Sequence, residues 1–318
     1  MIELNEVTKL YGTVIGVNEI SMSLQPGTYG LLGPNGSGKT TLINLILGQL
    51  KPTIGTVRLF GENPWRRSRL LRDVGHCPAL EISYPRVTSL QWVTYMVQMH
   101  GFGFAEAEAK AKTALDRVKL SHVMDQPMVE YSLGMRQRAK LAQAIAHEPQ
   151  LLILDEPFNG LDPVGRFEMT DFLKEWGGSG KSLILASHIL HEVEAVSPSF
   201  LLIYGSRLMA SGSPEEVHQI LDTAPSTLTI RSSDSTRLST LLTTQCSLIG
   251  VKFLSDNEIE IETESTQAAN QICQTLTRIV NEHGISIHEV TSTDESLQSL
   301  FSTLMKIHRG EQLKGVIN

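Results

Sequence analysis

Short apolar runs alternate with amphipathic stretches along the first two thirds of the chain. Alternation of apolar and polar residues predicts antiparallel strands over 2–7 and 17–24. Other apolar runs predict strands over 29–32, 55–60, 151–154, 183–186 and 201–204. Helical periodicity predicts helices over 41–47, 87–100, 106–118 and 133–147. The continuous apolar run 151–154 is typical of a central parallel strand, so the pattern indicates an α/β domain.

The pattern changes after about Leu221. Residues 222–226 read as a linker, and the remainder is rich in Ser and Thr. The predicted order is strand, helix, strand, strand, helix, strand, helix, over 228–231, 236–242, 251–254, 258–262, 267–283, 286–290 and 296–308. This order predicts a small α+β domain of the βαββαβ, ferredoxin-like kind with a terminal helix. We therefore expect domains at 1–221 and 222–318.

Composition limits the classes of function. The chain has 318 residues and a net charge of −7, which argues against nucleic-acid binding through bulk charge. No run approaches the roughly 18 apolar residues of a transmembrane helix. Met1-Ile2-Glu3 does not resemble a signal peptide. The three cysteines lack metal-ligand spacing, so we expect free thiols in a reducing cytosol rather than disulfides or zinc.

The run from Gly33 to Thr40 matches the phosphate-binding pattern G-x-x-x-x-G-K-[ST] at every position. Glycines let successive backbone N–H groups point into one concavity that holds anionic oxygens. Lys39 can reach the β- and γ-phosphates, and the Thr40 hydroxyl can ligate Mg²⁺. The alternative is a glycine-rich turn that matches by chance. The predicted nucleotide-binding residues of this segment are Gly33, Pro34, Asn35, Gly36, Ser37, Gly38, Lys39, Thr40 and Thr41.

Two acids follow the apolar run 151–154. Open α/β sheets place ligands at the carboxyl ends of their strands, where Asp155 stands. Asp155 can hold Mg²⁺ through a water, and Glu156 can accept a proton from the water that attacks the γ-phosphate. In isolation, a strand that ends in two solvated acids is common.

Ser132 precedes the helix predicted over 133–147. Serine is a good N-cap, and the backbone N–H groups behind it form an anion site. Taken alone, this is an ordinary capped helix.

Together these motifs resemble the nucleotide-binding subunits of ATP-binding cassette (ABC) transporters, over residues 1 to about 221. Residues 33–40 resemble the Walker A motif, 151–156 Walker B, 132–138 the signature motif, 159–162 the D-loop with Asp162, and 187–188 the switch histidine. Tyr11 matches the aromatic residue that stacks on adenine. The resemblance implies a P-loop NTPase cassette: a central mainly parallel sheet, an antiparallel β subdomain and a helical subdomain.

The resemblance also implies a mechanism. Two cassettes pair head to tail, with each ATP between the phosphate loop of one chain and the signature helix of the other. Ser132 and Gly134 would face the partner's γ-phosphate, and His188 would stabilise charge in the transition state. The implied cofactors are ATP and Mg²⁺. The implied partners are a second copy of the chain and a separate integral membrane permease, at the inner face of the cell membrane, and no nucleic acid. His191 is expected to be a surface residue.

The sequence departs from the family pattern at two motifs. The signature carries Leu133 and Met135 where glycine and glutamine are usual, as in exporters of the bacitracin-resistance type. Ala79 stands where the family's Q-loop glutamine contacts Mg²⁺ and passes movement to the membrane subunit. Glu81 could replace it only in a reshaped loop. We hypothesise weaker coupling with intact ATP binding, which an unchanged ATPase rate and permease dependence in Ala79→Gln would contradict.

Two other segments bear on the membrane partner and on the direction of transport. Four arginines at 66, 67, 69 and 72 lie where the family meets its membrane subunit, although a solvated helix face explains each one singly. Residues 294–301 weakly resemble a stretch found near the ends of export subunits. They favour export, and a regulatory or dimer-supporting role for residues 226–308.

The sequence thus predicts an ATPase subunit that powers a separate permease, an exporter. The alternative is a soluble ABC ATPase outside transport, such as an assembly or regulatory factor. A repair ATPase would need a long coiled-coil insertion, for which residues 41–131 leave no room. A non-hydrolysing scaffold is a third class, against which Glu156 and His188 argue.

Overall fold

The chain folds as two units, 1–212 and 213–318, in a computed structural model. The structure describes residues 1–81, 84–213, 216, 226–263 and 265–292. The sequence placed the domain boundary after residue 221, within a segment outside the described residues. That boundary therefore remains a prediction, and the two units are described separately.

An antiparallel sheet opens the first unit. It consists of β1 (Ile2–Tyr11), β2 (Val14–Leu24) and β4 (Ile54–Leu59), in the order β2-β1-β4. Both predicted N-terminal strands are confirmed, although each is longer than predicted. Their buried residues include Ile2, Val7 and Ile20, which pack on the phosphate-loop helix and the larger sheet.

A second sheet of six strands forms the centre of this unit. Its strands are β3 (Thr28–Leu32), β5 (Val74–Cys77), β6 (Leu151–Asp155), β7 (Ser182–Ser187), β8 (Phe200–Tyr204) and β9 (Arg207–Gly212). The order is β5-β6-β7-β3-β8-β9, with parallel pairs except β8 with β9. Every residue of β6 is buried, as its continuous apolar run predicts.

The helices of the first unit connect these strands. They are α1 (Lys39–Ile46), α2 (Ser89–Met99), α3 (Phe104–Arg117), α4 (Leu133–Ile145), α5 (Pro163–Gly178) and α6 (Leu190–Glu194). Single 3-10 turns lie at Ser68–Asp73, Ser121–Val123 and Met128–Glu130. The α2, α3 and α4 helices pack on one another as the predicted helical subdomain. The fold is the predicted P-loop cassette.

Four elements of this unit are absent from the sequence prediction: β5, β9, α5 and α6. The β5 strand is a short segment with a glycine and a histidine, so its pattern is weak. The α5 helix begins with a strong start signal, because Asp162 caps it and Pro163 occupies its first position. The α1 helix begins at Lys39, two residues before the predicted start.

The second unit contains β10 (Ser226–Ser232), α7 (Ser235–Gln245), β11 (Gly250–Ser255), β12 (Glu258–Thr263), α8 (Thr266–His283) and β13 (Ile287–Ser292). The strand order β11-β12-β10-β13 with antiparallel pairing confirms the predicted ferredoxin-like βαββαβ arrangement. Its own apolar core includes Ile230, Ile261 and Ile279.

Some predictions for this region are corrected or fall elsewhere. Ser226, assigned to the linker, begins β10. The rest of the linker, the terminal helix 296–308 and the stretch 294–301 lie outside the described residues. Among the described residues, no helix has the length and apolar character needed to span a membrane.

Candidate functional site

The phosphate loop joins the end of β3 to the start of α1. The backbone of Gly38 has φ +107°, and a Cβ there would lie 2.4 Å from the Gly16 carbonyl oxygen. A side chain at this position would therefore be both strained and sterically blocked. The tight turn directs the loop into the N-terminus of α1, whose first backbone N–H groups and dipole favour an anion. The remaining predicted loop residues, Gly33, Pro34, Asn35, Gly36 and Ser37, form the same turn.

Lys39 connects this loop to the end of β6. Its ammonium donates to the carbonyl oxygens of Gly33 at 2.7 Å and Pro34 at 3.3 Å. The same Nζ lies 3.3 Å from Glu156 Oε1, and both side chains are buried. A buried ammonium needs such partners because desolvation of an isolated charge is costly.

Thr40 and Asp155 lie directly beside this pair. The Thr40 hydroxyl donates to Asp155 Oδ2 at 2.7 Å. Burial raises the pKa of the Asp155 carboxyl, while the hydroxyl of Thr40 and the charge of Lys39 act in the opposite direction. Asp155 Oδ1 is buried without a hydrogen-bond partner among the described residues. The two side chains present clustered oxygens, the ligand type that Mg²⁺ prefers.

Glu156 and His188 form the next contact along the sheet edge. His188 follows β7, which pairs with β6, and its Nδ1 lies 2.9 Å from Glu156 Oε2. Glu156 has φ +53°, a conformation uncommon outside glycine. Its backbone N–H donates to the Ala186 carbonyl at 2.8 Å, which fixes the turn that follows β6.

The signature residues lie in a different cleft. Ser132 caps α4, as predicted, and its Oγ accepts from the Met135 N–H at 3.2 Å. Asp162 caps α5, accepting from the Gly165 N–H at 2.8 Å. Residues Ser132, Gly134 and Asp162 line one cleft, and no phosphate-loop residue lines it. The structure therefore does not bring the two groups of predicted residues into one site within a single chain.

Tyr11 is 45% exposed and lies near the start of α1. Its hydroxyl is 3.5 Å from Thr41 Oγ1, and its ring covers Gly16, where a Cβ would lie 2.7 Å from it. One face of the predicted adenine-stacking residue is thus fixed close to the phosphate loop.

The other predicted positions are located as follows. Ala79 is exposed in the loop after β5. Glu81 lies 3.8 Å from Arg136 with 63% of its side chain exposed, so it does not take the place of a glutamine at 79. The four arginines and His191 are exposed. The sequence analysis did not single out Lys140, which is buried in the structure. The one indication in the sequence is its position among the apolar residues Ala139, Leu141 and Ala142.

Comparison with known proteins decides the family. The family model described as "ABC transporter" matches residues 17–159. The bacitracin transport ATP-binding protein BcrA of Enterococcus faecalis is 31% identical over 96% of this chain and 96% of its own length. The chain belongs to the ABC transporter family. Within that family it is an ATP-binding subunit and an ATPase, and the comparisons give no support to a role outside transport.

Other ABC proteins support this assignment. The Nod factor export ATP-binding protein I of Burkholderia lata is 35% identical over 67% of this chain and 71% of its own length. A solved structure of cbiO1 from Clostridium perfringens, part of an ABC transporter complex, is 26% identical with a TM-score of 0.60, covering 69% of this chain and 90% of that one. The dimeric ABC transporter cassette MJ0796, at 21% identity and TM-score 0.62 over 67% of this chain and 98% of that one, shares the fold.

Proposed function

We propose that this ABC protein powers a separate integral membrane permease that exports its substrate. A relative named for Nod factor export supports this direction, and one named for bacitracin transport supports the role in transport. The BcrA match extends over nearly the whole chain and so includes the second unit. The proposal places the chain at the inner face of the cell membrane, where ATP is available, held there by the permease. The second unit has a regulatory or dimer-supporting role.

The separation of the signature cleft from the phosphate loop carries the proposal that the working unit is a head-to-tail pair of chains. Ser132 and Gly134 line a cleft that contains no phosphate-loop residue of the same chain. They therefore cannot contact a γ-phosphate bound by Lys39 of that chain. A second copy supplies them. The pairing buries each ATP between two chains, and hydrolysis removes the charge that holds them together.

We call the site formed by the phosphate loop of one chain and the signature residues of the other the composite site. Its residues have different roles. Lys39 and the loop amides bind the phosphates, and Tyr11 stacks on adenine. Glu156 accepts the proton of the attacking water, for which its place next to the sheet edge suits it. His188, held through Nδ1 against Glu156, stabilises charge on the γ-phosphoryl group. Asp162 positions the start of α5 beside the signature residues.

The oxygen donors of Thr40 and Asp155 fit Mg²⁺. The unpartnered, buried Asp155 Oδ1 is the observation that supports this, because a buried carboxylate oxygen without a partner is costly. When bound, the ion would neutralise charge on the β- and γ-phosphate oxygens. Thr40 would hold it directly, and Asp155 would do so through a water.

Mixing two inactive variants tests the composite site. Lys39→Met disables a phosphate loop, and Ser132→Arg blocks a signature. In a head-to-tail pair of one of each, one site carries both defects and the other carries neither. We expect the mixture to hydrolyse ATP faster than the sum of the separate variants. A mixture no faster than that sum would show that the site is complete within one chain.

Co-purification from membranes tests whether the chain binds a permease. The tagged chain, purified in mild detergent from its own cells, should bring an integral membrane protein with it. Release of the chain by high salt with no membrane protein attached would contradict the transport role. The Lys39→Met variant serves as control, because it should keep this partner while losing ATP hydrolysis.

A further inference from the structure

A buried lysine on α4 stands outside the roles given so far. Lys140 is 3% exposed, although lysine is almost never fully buried unless paired. Burial lowers the pKa of its ammonium, so its surroundings oppose the charge. Such a side chain persists in a fold when it makes good hydrogen bonds.

Those hydrogen bonds go to the backbone on both sides of Ala79. The Lys140 ammonium donates to the Pro78 carbonyl at 2.8 Å and to the Leu80 carbonyl at 3.1 Å. The side chain of Ala79 can form no hydrogen bond itself. One ammonium therefore fixes the backbone at both neighbours of residue 79.

Two more side chains of α4 contact the ends of this segment, one just before the loop (residues 78–81) and one at its last residue. Gln137 Nε2 lies 3.9 Å from the sulfur of Cys77, at the end of β5, and Arg136 Nη2 lies 3.8 Å from Glu81 Oε2. Lys140 lies three positions after Gln137 and four after Arg136, so each of the two is its neighbour on the surface of α4. Together with Lys140, these side chains connect α4 to residues 78, 80 and 81 of the loop and to the strand end at Cys77.

The loop and the helix each border a different part of the nucleotide site. Cys77 pairs with Leu154 in the parallel sheet, so the loop leaves the sheet at the edge where Asp155 lies. The N-terminus of α4 is capped by Ser132, which lines the signature cleft. Leu80, whose carbonyl accepts from Lys140, is 78% exposed.

We propose that Lys140 is a positioning residue that clamps the 78–81 loop to the signature helix through main-chain carbonyls. The loop then moves with α4 as one body. A displacement of α4 at Ser132 therefore also displaces the exposed Leu80 and the chain next to the carboxyl end of β6, where Asp155 lies. The clamp needs no side chain at position 79. This inference rests on the proposed roles of Ser132 and Asp155.

Hydrogen exchange in the full-length chain tests the clamp. Lys140→Met keeps the length of the side chain and removes its donors, while Lys140→Arg keeps charge and donors. Lys174→Met, at an exposed lysine of α5, is the matched control. We expect Lys140→Met to accelerate exchange of the ladder amides of β5, the strand that leads into the loop, about tenfold or more, while amides of β7 exchange as in the wild type. The arginine variant should restore most of the protection. Unchanged exchange in β5, or an acceleration spread equally over the first unit, would overturn the clamp.

Steady-state ATP hydrolysis supplies a second readout. Loss of a positioning residue should lower kcat of Lys140→Met at least several-fold and leave the KM for ATP near the wild-type value, with partial rescue in Lys140→Arg. A kcat equal to that of the wild type, despite faster exchange in β5, would overturn the link to the reaction. The exchange result stands by itself if the composite-site proposal fails, because it requires no partner chain.

Discussion

Glu156 and His188 are 32 residues apart in the sequence, yet Glu156 Oε2 and His188 Nδ1 lie 2.9 Å apart. The contact exists because β6 and β7 are parallel neighbours, so both residues leave the sheet at the same edge. Lys39 holds the other carboxylate oxygen of Glu156 at 3.3 Å. Glu156 is thereby oriented from two sides.

The Glu156→Gln variant should lose nearly all hydrolysis while it continues to bind ATP. Glutamine keeps the shape of the side chain but cannot accept the proton of the attacking water. We expect the rate to fall by about 10²–10⁴. Gel filtration with ATP should then show a persistent dimer. Glu175→Gln, at an exposed position of α5, is the control, and a normal rate in Glu156→Gln would refute the assignment.

The hydrogen bond between Thr40 and Asp155 leads to a test of the proposed Mg²⁺ site. Thr40→Val removes the hydroxyl at nearly constant volume, and Asp155→Asn removes the charge. Each should raise the Mg²⁺ concentration for half-maximal hydrolysis by about 10–100-fold. A titration of ATPase rate against Mg²⁺ measures this shift. Thr113→Val, at an exposed threonine of α3, should leave the curve where it is, and an unshifted curve in both site variants would exclude a metal role.

Gly160 is predicted to be intolerant of a side chain. Its φ is +75°, and a Cβ there would lie 2.2 Å from Leu133 Cγ, next to the signature serine. Gly160→Ala should therefore destabilise the first unit by about 1–3 kcal/mol and displace Leu133. Urea denaturation measures the loss. Gly178→Ala is the matched control, because its Cβ would meet no atom within 4 Å. Equal stabilities of the two variants would contradict the steric account.

Buried histidines predict lower stability in acid. Burial lowers the pKa of His147 from 6.5 to about 4, aided by the neighbouring His100, and burial lowers the pKa of His76 similarly. Below pH 6.5 the unfolded chain binds protons that the folded chain does not, so the free energy of unfolding falls as pH drops toward 4. For His147 the pKa difference corresponds to a loss on the order of 3 kcal/mol.

Urea denaturation of the first unit between pH 7 and pH 4 measures this dependence. In His147→Gln the fall in stability over this range should be smaller than in the wild type, because one titrating group is gone. His191→Gln, at an exposed histidine, should retain the wild-type dependence. A His147→Gln protein with the full wild-type fall would show that His147 is not the group that titrates.

The residues proposed to bind and hydrolyse ATP could be selected from the sequence because short local patterns encode them. A phosphate loop needs glycine at 38 and a lysine at 39 within a strand–loop–helix segment, and all of this is contiguous in sequence. The strand before Asp155 is apolar throughout because it is buried on both faces. The ferredoxin-like order of the second unit likewise followed from the succession of its elements.

Only the tertiary structure decided which distant residues meet. Strand order cannot be derived from local pattern, so the adjacency of β6 and β7, and with it the Glu156–His188 contact, required the fold. The short β5 strand has no clear periodicity and is defined by its parallel pairing with β6. The partners of Lys140 could not be predicted from the sequence, because they are backbone carbonyls about 60 residues earlier. Every residue has such a carbonyl, so no residue type marks the partner. The sequence determined the chemistry of the nucleotide site, and long-range packing decided which groups orient it.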